Sequence, residues 1–272
     1  MHDTLKKIIA QKELEVAELK ESVLKNPDGV LAQYMRGKLG TRKIKSLKKA
    51  LSQAPAIIAE IKRASPAKGE LAQIADPVAL AQKYQQAGVA AISVLTDSVF
   101  FNGSVDDLQK VSAALQDTPV VILRKEFIID EIQIAQAAQY GADAVLIIVA
   151  VTEDKTQELI DYAHYLGLEV LLEVHTEEEL ELALDTDAKV IGINNRNLRT
   201  LEVDINTSYD LIEFMPKPII AVSESGIHDA QTAHDLFAAG FNALLVGEAL
   251  VKAKDPKKLI NAMREDQHER SR

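Results

Sequence analysis

The chain has no cysteine and no tryptophan, and aromatic residues make up only 4% of it. Without cysteine, disulfides, thiolate metal sites and cysteine nucleophiles are all excluded. Few aromatics beside 47% hydrophobic residues favour a core of Ala, Val, Ile and Leu, as in parallel sheets covered by helices. No run approaches the ~20 apolar residues of a membrane span. Met1-His2-Asp3-Thr4 is charged and lacks the apolar stretch of a secretion signal. A soluble, cytoplasmic protein with no membrane partner is expected. The formal net charge of −10 argues against a general nucleic-acid footprint, though a local cationic pocket remains compatible with it. There is no Gly-x-Ser-x-Gly elbow or Walker loop. No His pair or carboxylate cluster stands at metal spacing, so no metal is expected.

What is present is a regular alternation. In 272 residues there is room for one large barrel or two small domains. Leu5, Ile8, Ile9, Val16, Leu19 and Val23 recur at helical spacing, which predicts a helix over 4–24. It stops before the turn signal Asn26-Pro27-Asp28-Gly29. A basic stretch follows over 36–49 and reads as a solvated, mobile connector. Leu47 and Leu51 are expected to pack a short helix ahead of Pro55.

From Pro55 strand-like runs fall at 56–62, 90–95, 119–124, 143–149, 168–174, 189–193, 218–222 and 242–246. Helical patterns lie between them: Pro77–Ala87, Ser104–Leu115, Glu131–Tyr140, Glu153–Leu166, Glu177–Leu184, Asn206–Phe214 and His228–Ala239, with a last helix near 256–264. Gly88, Gly141, Gly167 and Gly240 stand where a helix ends ahead of a strand, the usual place for a left-handed residue. Eight such units predict an α/β fold, a (β/α)8 TIM barrel over 55–272, behind an N-terminal helical extension over 1–54 that covers the active-site face. The other arrangement compatible with this order is a doubly wound sheet, which lacks support because no Gly-x-Gly-x-x-Gly turn follows the first strand.

The first strand region, Ile57-Ile58-Ala59-Glu60-Ile61-Lys62-Arg63-Ala64-Ser65-Pro66, starts apolar and ends charged. Alternation puts Ile57, Ala59 and Ile61 on one face, and Ile58, Glu60 and Lys62 on the other. A helix-covered outer face would not take Glu60 and Lys62, but the carboxyl end of a barrel interior would. A surface ion pair at a strand end would read the same way. The third strand adds Lys125 on the face of Leu123, the fifth adds Glu173, and the sixth ends in Asn194, Asn195 and Arg196. Glu60, Lys62, Lys125, Glu173, Asn194 and Arg196 therefore converge at one barrel mouth. Interleaved ammonium and carboxylate groups shift one another's pKa values and supply general acids and bases. His175 is expected to stand behind Glu173 or in solvent rather than to react. The seventh and eighth strand ends, Ser223-Glu224-Ser225-Gly226 and Val246-Gly247-Glu248, place small residues where helices are expected to begin. Such loops suit a phosphate, although they would also serve as plain tight turns.

In this order the motifs Ala59-Glu60-Ile61-Lys62-Arg63-Ala64-Ser65-Pro66, Leu95-Thr96-Asp97 with Phe101-Asn102-Gly103-Ser104, and Leu123-Arg124-Lys125-Glu126-Phe127-Ile128 are specific. So are Leu171-Leu172-Glu173-Val174-His175, Gly192-Ile193-Asn194-Asn195-Arg196-Asn197-Leu198, Ser223-Glu224-Ser225-Gly226-Ile227 and Val246-Gly247-Glu248-Ala249-Leu250. Over its whole length the chain resembles the indole-3-glycerol phosphate synthases, in their monofunctional form rather than the form fused to phosphoribosylanthranilate isomerase. The resemblance implies closure of the indole ring from 1-(2-carboxyphenylamino)-1-deoxyribulose 5-phosphate, with loss of CO2 and water, and no cofactor. It implies Lys125 as general acid on the ketone oxygen and Glu173 as an acid/base group near the anilino nitrogen. Lys62, held by Glu60, would contact the substrate carboxylate, and Asn194 the hydroxyls. Ser225 joins this catalytic set. Ser65, Arg196, Gly226, Gly247 and Glu248 would surround the phosphate, Glu248 through its backbone. Pro66, Leu95, Phe101, Phe127, Leu146, Leu198 and Leu201 would hold the anthranilate ring. The family often has Met where Val251 stands here, a conservative difference. A monomer, or at most a weak dimer, is expected. Other readings are the isomerase of the same pathway, which works with a cysteine, a barrel lyase forming a Schiff base on Lys125 or Lys62, and a non-catalytic phosphosugar-binding barrel.

Overall fold

The structure is a computed structural model and describes residues 3–38, 40 and 42–265. Eight parallel strands close into a barrel in sequence order. They are β1 Ala56–Ile61, β2 Ala91–Leu95, β3 Val121–Lys125, β4 Ala144–Ile148, β5 Glu169–Val174, β6 Val190–Asn194, β7 Ile220–Glu224 and β8 Ala243–Val246. β8 returns to β1, with Ala56 opposite Ala243 and Ala59 opposite Val246. Most expected strands are one or two residues out of place. The consequential shifts are at β3 and β7, which run on to Lys125 and Glu224 and so carry both charges inside the sheet.

Among the described residues three helices precede the barrel: α1 Asp3–Lys25, α2 Val30–Met35 and α3 Leu47–Leu51. The others follow strands: α4 Pro77–Gln86, α5 Val105–Ala114, α6 Glu131–Gln139, α7 Val149–Thr152, α8 Thr156–Tyr165, α9 Glu177–Leu184, α10 Asn206–Ile212, α11 Ala230–Ala239, α12 Glu248–Lys252 and α13 Pro256–Arg264. The expected helix over 153–166 opens on a 3-10 turn at Glu153–Lys155, so its α-helical part begins only at Thr156. Start positions follow capping chemistry. Side chains of Asp76, Ser104, Thr176 and Asp229 each accept an N–H from the first turn of the helix they precede. Gly88, Gly141, Gly167 and Gly240 all have positive φ, as their positions demanded.

Two apolar clusters result from strand alternation. Ile57, Ala59 and Ile61 pack outward against the helices, with Ile147, Leu172 and Ile193 from other strands. Ile58, Leu123, Leu171 and Val222 pack inward. The extension engages this inner cluster at both ends of the barrel. Leu5 and Ile8 of α1 join it with Phe127 at the mouth, and Leu47 and Leu51 of α3 join it with the first inward residues of the strands. The basic stretch is the solvated connector expected only in part: Arg36, Lys38, Lys43, Lys48 and Lys49 are exposed, but Arg42 and Lys45 are tied down. Arg42 bonds Asp143 at 2.7 Å, and Lys45 Nζ lies 3.5 Å from the same buried carboxylate. Its Leu39 and Thr41 lie outside the described residues.

Candidate active site

The odd-numbered strands build the site in two storeys. β1, β3, β5 and β7 point Ile58, Leu123, Leu171 and Val222 into the barrel, and two residues further on they point Glu60, Lys125, Glu173 and Glu224. Alternate strands contributing to one layer is the packing rule of this fold. The upper storey is charged because it lines a cavity of about 390 Å³.

Lys125 is the hub. Its Nζ lies 2.8 Å from Glu173 Oε2 and 2.6 Å from Glu224 Oε2. Burial alone would lower the lysine pKa, but Glu173, Glu224 and the more distant Glu60 outweigh it and hold the ammonium above its ordinary range. The two carboxylates diverge. Burial opposes ionisation of Glu173, yet Lys125 and His175 prevail and hold it below the usual carboxylate range. Burial also disfavours charge on Glu224, Glu173 adds repulsion, and the carboxyl is pushed up to about 7 despite Lys125. Its Oε1 is buried with no hydrogen-bond partner, which suits a carboxyl that does not stay fully ionised. A pair of acids driven apart in this way is the environment in which one holds a proton while the other accepts one.

Glu60 and Lys62 form a separate pair at 2.6 Å on the β1 side of the cavity. Gly247 allows it: a Cβ there would stand 2.5 Å from Glu60 Oε1 and 3.2 Å from Lys62 Nζ. Gly192 does the same for Glu224, because a Cβ would collide with Oε1. His175 is not in solvent. Its Nδ1 is 3.0 Å from Glu179 Oε2, and its Nε2 is 3.2 Å from Glu173 Oε1 without hydrogen-bond alignment. Burial would lower its pKa, but Glu173 and Glu179 raise it to about 9.

Asn194, Arg196, Ser225, Gly226 and Glu248 all line the same cavity. Asn194 Oδ1 accepts the Arg196 backbone N–H at 3.0 Å, and Arg196 donates to the Leu201 carbonyl at 2.8 Å. Ser225 and Gly226 both have positive φ, at 68° and 79°. The seventh loop differs from expectation: α11 begins at Ala230, beyond Gly226, so these small residues do not start a helix. Gly247 does, as N-cap of α12. Glu248 is drawn away by Lys68, at 2.8 Å, and by Lys252.

Leu95, Phe101, Phe127, Leu146, Leu198 and Leu201 line the apolar side of the cavity. The Phe101 and Phe127 rings lie 6.0 Å apart, tilted by 37°. Ser65 and Pro66 are brought elsewhere, to a smaller cavity of about 70 Å³ under α1 that shares Lys62, Phe101 and Arg196 with the main one. Ser65 is buried in a two-residue ladder with Gly69–Glu70, which turns it from the main cavity.

Three lining charges escaped the sequence reading, Glu224, Glu126 and Lys68. Alternation had the signal for the first, since Val222 and Glu224 share a face, but the Ser-Glu-Ser-Gly run reads more readily as a phosphate loop. Nothing in the local sequence marks Lys68, which reaches the site through the turn after Pro66. Among the described residues no group of His, Asp and Glu is arranged to hold a metal, and no helix is long and apolar enough to cross a membrane.

The family model described as indole-3-glycerol phosphate synthase matches residues 5–263. The chain is 42% identical to the indole-3-glycerol phosphate synthase of Exiguobacterium sibiricum, over 97% of this chain and 98% of that one. It is 49% identical to that of Rhodococcus opacus, over 75% of each. Solved structures include thiamine phosphate pyrophosphorylase from Pyrococcus furiosus, with a TM-score of 0.61 at 15% identity over 80% of this chain and 96% of that one. Another is 3-hexulose-6-phosphate synthase from Salmonella typhimurium, at 0.62 and 16% over 77% and 96%. At such identities they speak for the barrel alone.

Proposed function

The chain belongs to the indole-3-glycerol phosphate synthase family, and from that premise we propose how its residues divide the reaction. The enzyme is a decarboxylating lyase of tryptophan biosynthesis. Its substrate is 1-(2-carboxyphenylamino)-1-deoxyribulose 5-phosphate, and its products are indole-3-glycerol phosphate, CO2 and water.

The observation that carries the assignment of roles is the Lys125 ammonium between two buried carboxylates at the floor of the cavity. In the first step the aromatic carbon bearing the carboxylate attacks the ketone, and Lys125 delivers a proton to the oxygen that becomes a hydroxyl. The carboxylate then leaves as CO2 and its electron pair restores the aromatic ring. In the last step the hydroxyl departs as water, pushed by the anilino nitrogen, and a ring carbon loses a proton. Glu173, the low-pKa acid of the pair, meets the positive charge growing on that nitrogen. Glu224 orients Lys125 and, with its raised pKa, is suited to hand protons back and forth. Lys62, fixed by Glu60, faces the substrate carboxylate.

The phosphate is assigned to the Ser225-Gly226 and Gly247 loops with Arg196, and Lys68 adds positive charge on that side. The anthranilate ring is assigned to the wall of Phe101, Phe127, Leu146 and Leu198. A Schiff base needs a neutral amine, and the raised pKa of Lys125 works against one. All these groups come from one barrel, so the reading needs no partner subunit. Incubating the pure protein with the substrate and following indole fluorescence tests the assignment. Wild type should turn over, and Lys125→Ala should lose ~10²–10⁴ in kcat, the usual worth of a general acid, while still binding substrate. A Lys125→Ala enzyme with near wild-type kcat would remove Lys125 from its role.

A further inference from the structure

The apolar stripe of α1 has a gap at position 12. Leu5, Ile8 and Val16 are buried on one face, and Lys12 stands between them on that face, itself fully buried. A buried lysine must be compensated, and three carboxylates do this. Lys12 Nζ lies 2.7 Å from Asp97 Oδ2, 2.8 Å from Glu15 Oε2 and 3.1 Å from Glu126 Oε1. Burial would lower its pKa, but Glu126, Asp97 and Glu15 reverse this, so the ammonium stays charged.

Two of these carboxylates have other business. Asp97 Oδ1 accepts the backbone N–H of Phe100 at 2.6 Å and of Phe101 at 3.1 Å. The Asp97 carbonyl accepts the Gly103 N–H at 2.7 Å, which folds the 97–103 turn around this residue. Glu126 Oε1 accepts the N–H of Phe127 at 2.9 Å, and its Oε2 takes the Thr96 hydroxyl proton at 2.6 Å. Asp97 and Glu126 thus hold the two phenylalanines whose rings form the aromatic wall. Lys12 does not line the cavity, yet it touches both carboxylates that do the holding.

We propose that Lys12 is a positioning residue for the aromatic end of the site, its ammonium locking Asp97 and Glu126 so that Phe101 and Phe127 present one fixed slot to the anthranilate ring. In this arrangement the first helix shapes ring selectivity without touching substrate. The proposal rests on the functional reading above, and turnover by wild type tests that reading separately. Without the cation, two buried carboxylates repel and the backbones they hold are free to shift.

The experiment compares two ligands: the substrate, through its KM, and ribulose 5-phosphate, which keeps the phosphate but has no aromatic ring, through its inhibition constant. Lys12→Met should raise the substrate KM roughly tenfold to hundredfold, the cost of misplacing a positioning group by about 1 Å. The inhibition constant of ribulose 5-phosphate should stay put, and kcat should fall less than KM rises. Lys12→Arg, which keeps the charge, should recover most of the loss. Equal weakening of both ligands, or no change in either, overturns the proposal. If Lys12→Met does not fold, Asp97→Asn makes the same comparison. It leaves Lys12 two carboxylates and keeps an oxygen for the Phe100 and Phe101 N–H groups. A selective loss on the aromatic ligand is expected again, and an equal or absent change is again fatal.

Discussion

Lys125 reaches across the barrel mouth to Glu224: they stand on β3 and β7, opposite staves, and Nζ lies 2.6 Å from Oε2. On the proposed reading this contact gives Glu224 a part in the chemistry of Lys125. Glu224→Gln keeps an oxygen for the ammonium but removes one charge that holds it in place. We expect kcat to fall at least tenfold, about 1.4 kcal/mol of barrier, with KM little altered. Steady-state kinetics at saturating substrate decides it, and an unchanged kcat would return Glu224 to a structural role.

Gly192 offers an indirect probe of the same contact. Gly192→Ala puts a methyl group where Glu224 Oε1 now sits, so the carboxylate must swing away from Lys125. The expected result is a folded enzyme with a kcat loss close to that of Glu224→Gln, and a double variant no worse than either single one, as for residues that act through one another. Additive losses would show that the methyl group does its damage elsewhere.

Glu60 and Glu173 should separate in kinetics. Glu60 pairs with Lys62 at 2.6 Å, and in the proposed division of roles it acts by holding that lysine while Glu173 meets developing charge; one such electrostatic contact is worth roughly 10²–10³ in kcat. Glu173→Gln should therefore depress kcat at least about tenfold more than Glu60→Gln. Equal losses, or a larger loss at Glu60, reverse the two roles.

His175 predicts a pH dependence of stability. Folding raises its pKa from the ordinary imidazole value of about 6.5 to about 9, because Glu173 and Glu179 favour the charged ring. Protonation is thus favoured by folding, and the stabilisation is complete below about pH 6.5 and disappears as pH rises through 9. At roughly 1.4 kcal/mol per pKa unit the window carries on the order of 3 kcal/mol. Urea midpoints at pH 6.5 and pH 9.5 should differ in wild type, and much less in His175→Gln. Identical shifts in both proteins would free His175 of this role.

Gly226 tests the phosphate assignment. Gly226→Asp sets a carboxylate beside the proposed phosphate and also strains a residue with φ of 79°. Gly226→Ala carries the strain without the charge. A rise in KM much larger for Asp than for Ala is expected, and equal effects would place the phosphate elsewhere. Gly247→Asp is a poorer test, because the side chain would displace the Glu60–Lys62 pair.

The sequence was most legible where one physical rule acted alone. Period-two alternation correctly turned Glu60, Lys62, Lys125 and Glu173 inward, and glycines after helices marked four left-handed turns. It failed where two rules competed for the same residues. At Ser223-Glu224-Ser225-Gly226 turn chemistry outweighed alternation, and a buried acid went unnoticed. At position 12 a lysine on a helix reads as solvent-facing, since its three partners arrive from the same helix, from the turn after β2 and from the residue after β3. Arg42 and Lys45 misled for the same reason, as Asp143 lies about a hundred residues away along the chain and their bonds to it depend on closure of the barrel.

The alternate-strand plan has a consequence for how the chain could be divided. Glu60 and Lys125 come from the first four strands, Glu173 and Glu224 from the last four. Cut between β4 and β5, the lysine would travel with one fragment and both of its counter-ions with the other. Neither half-barrel could then hold the ammonium as the whole one does, and turnover by two co-expressed fragments would be a direct meter of their reunion.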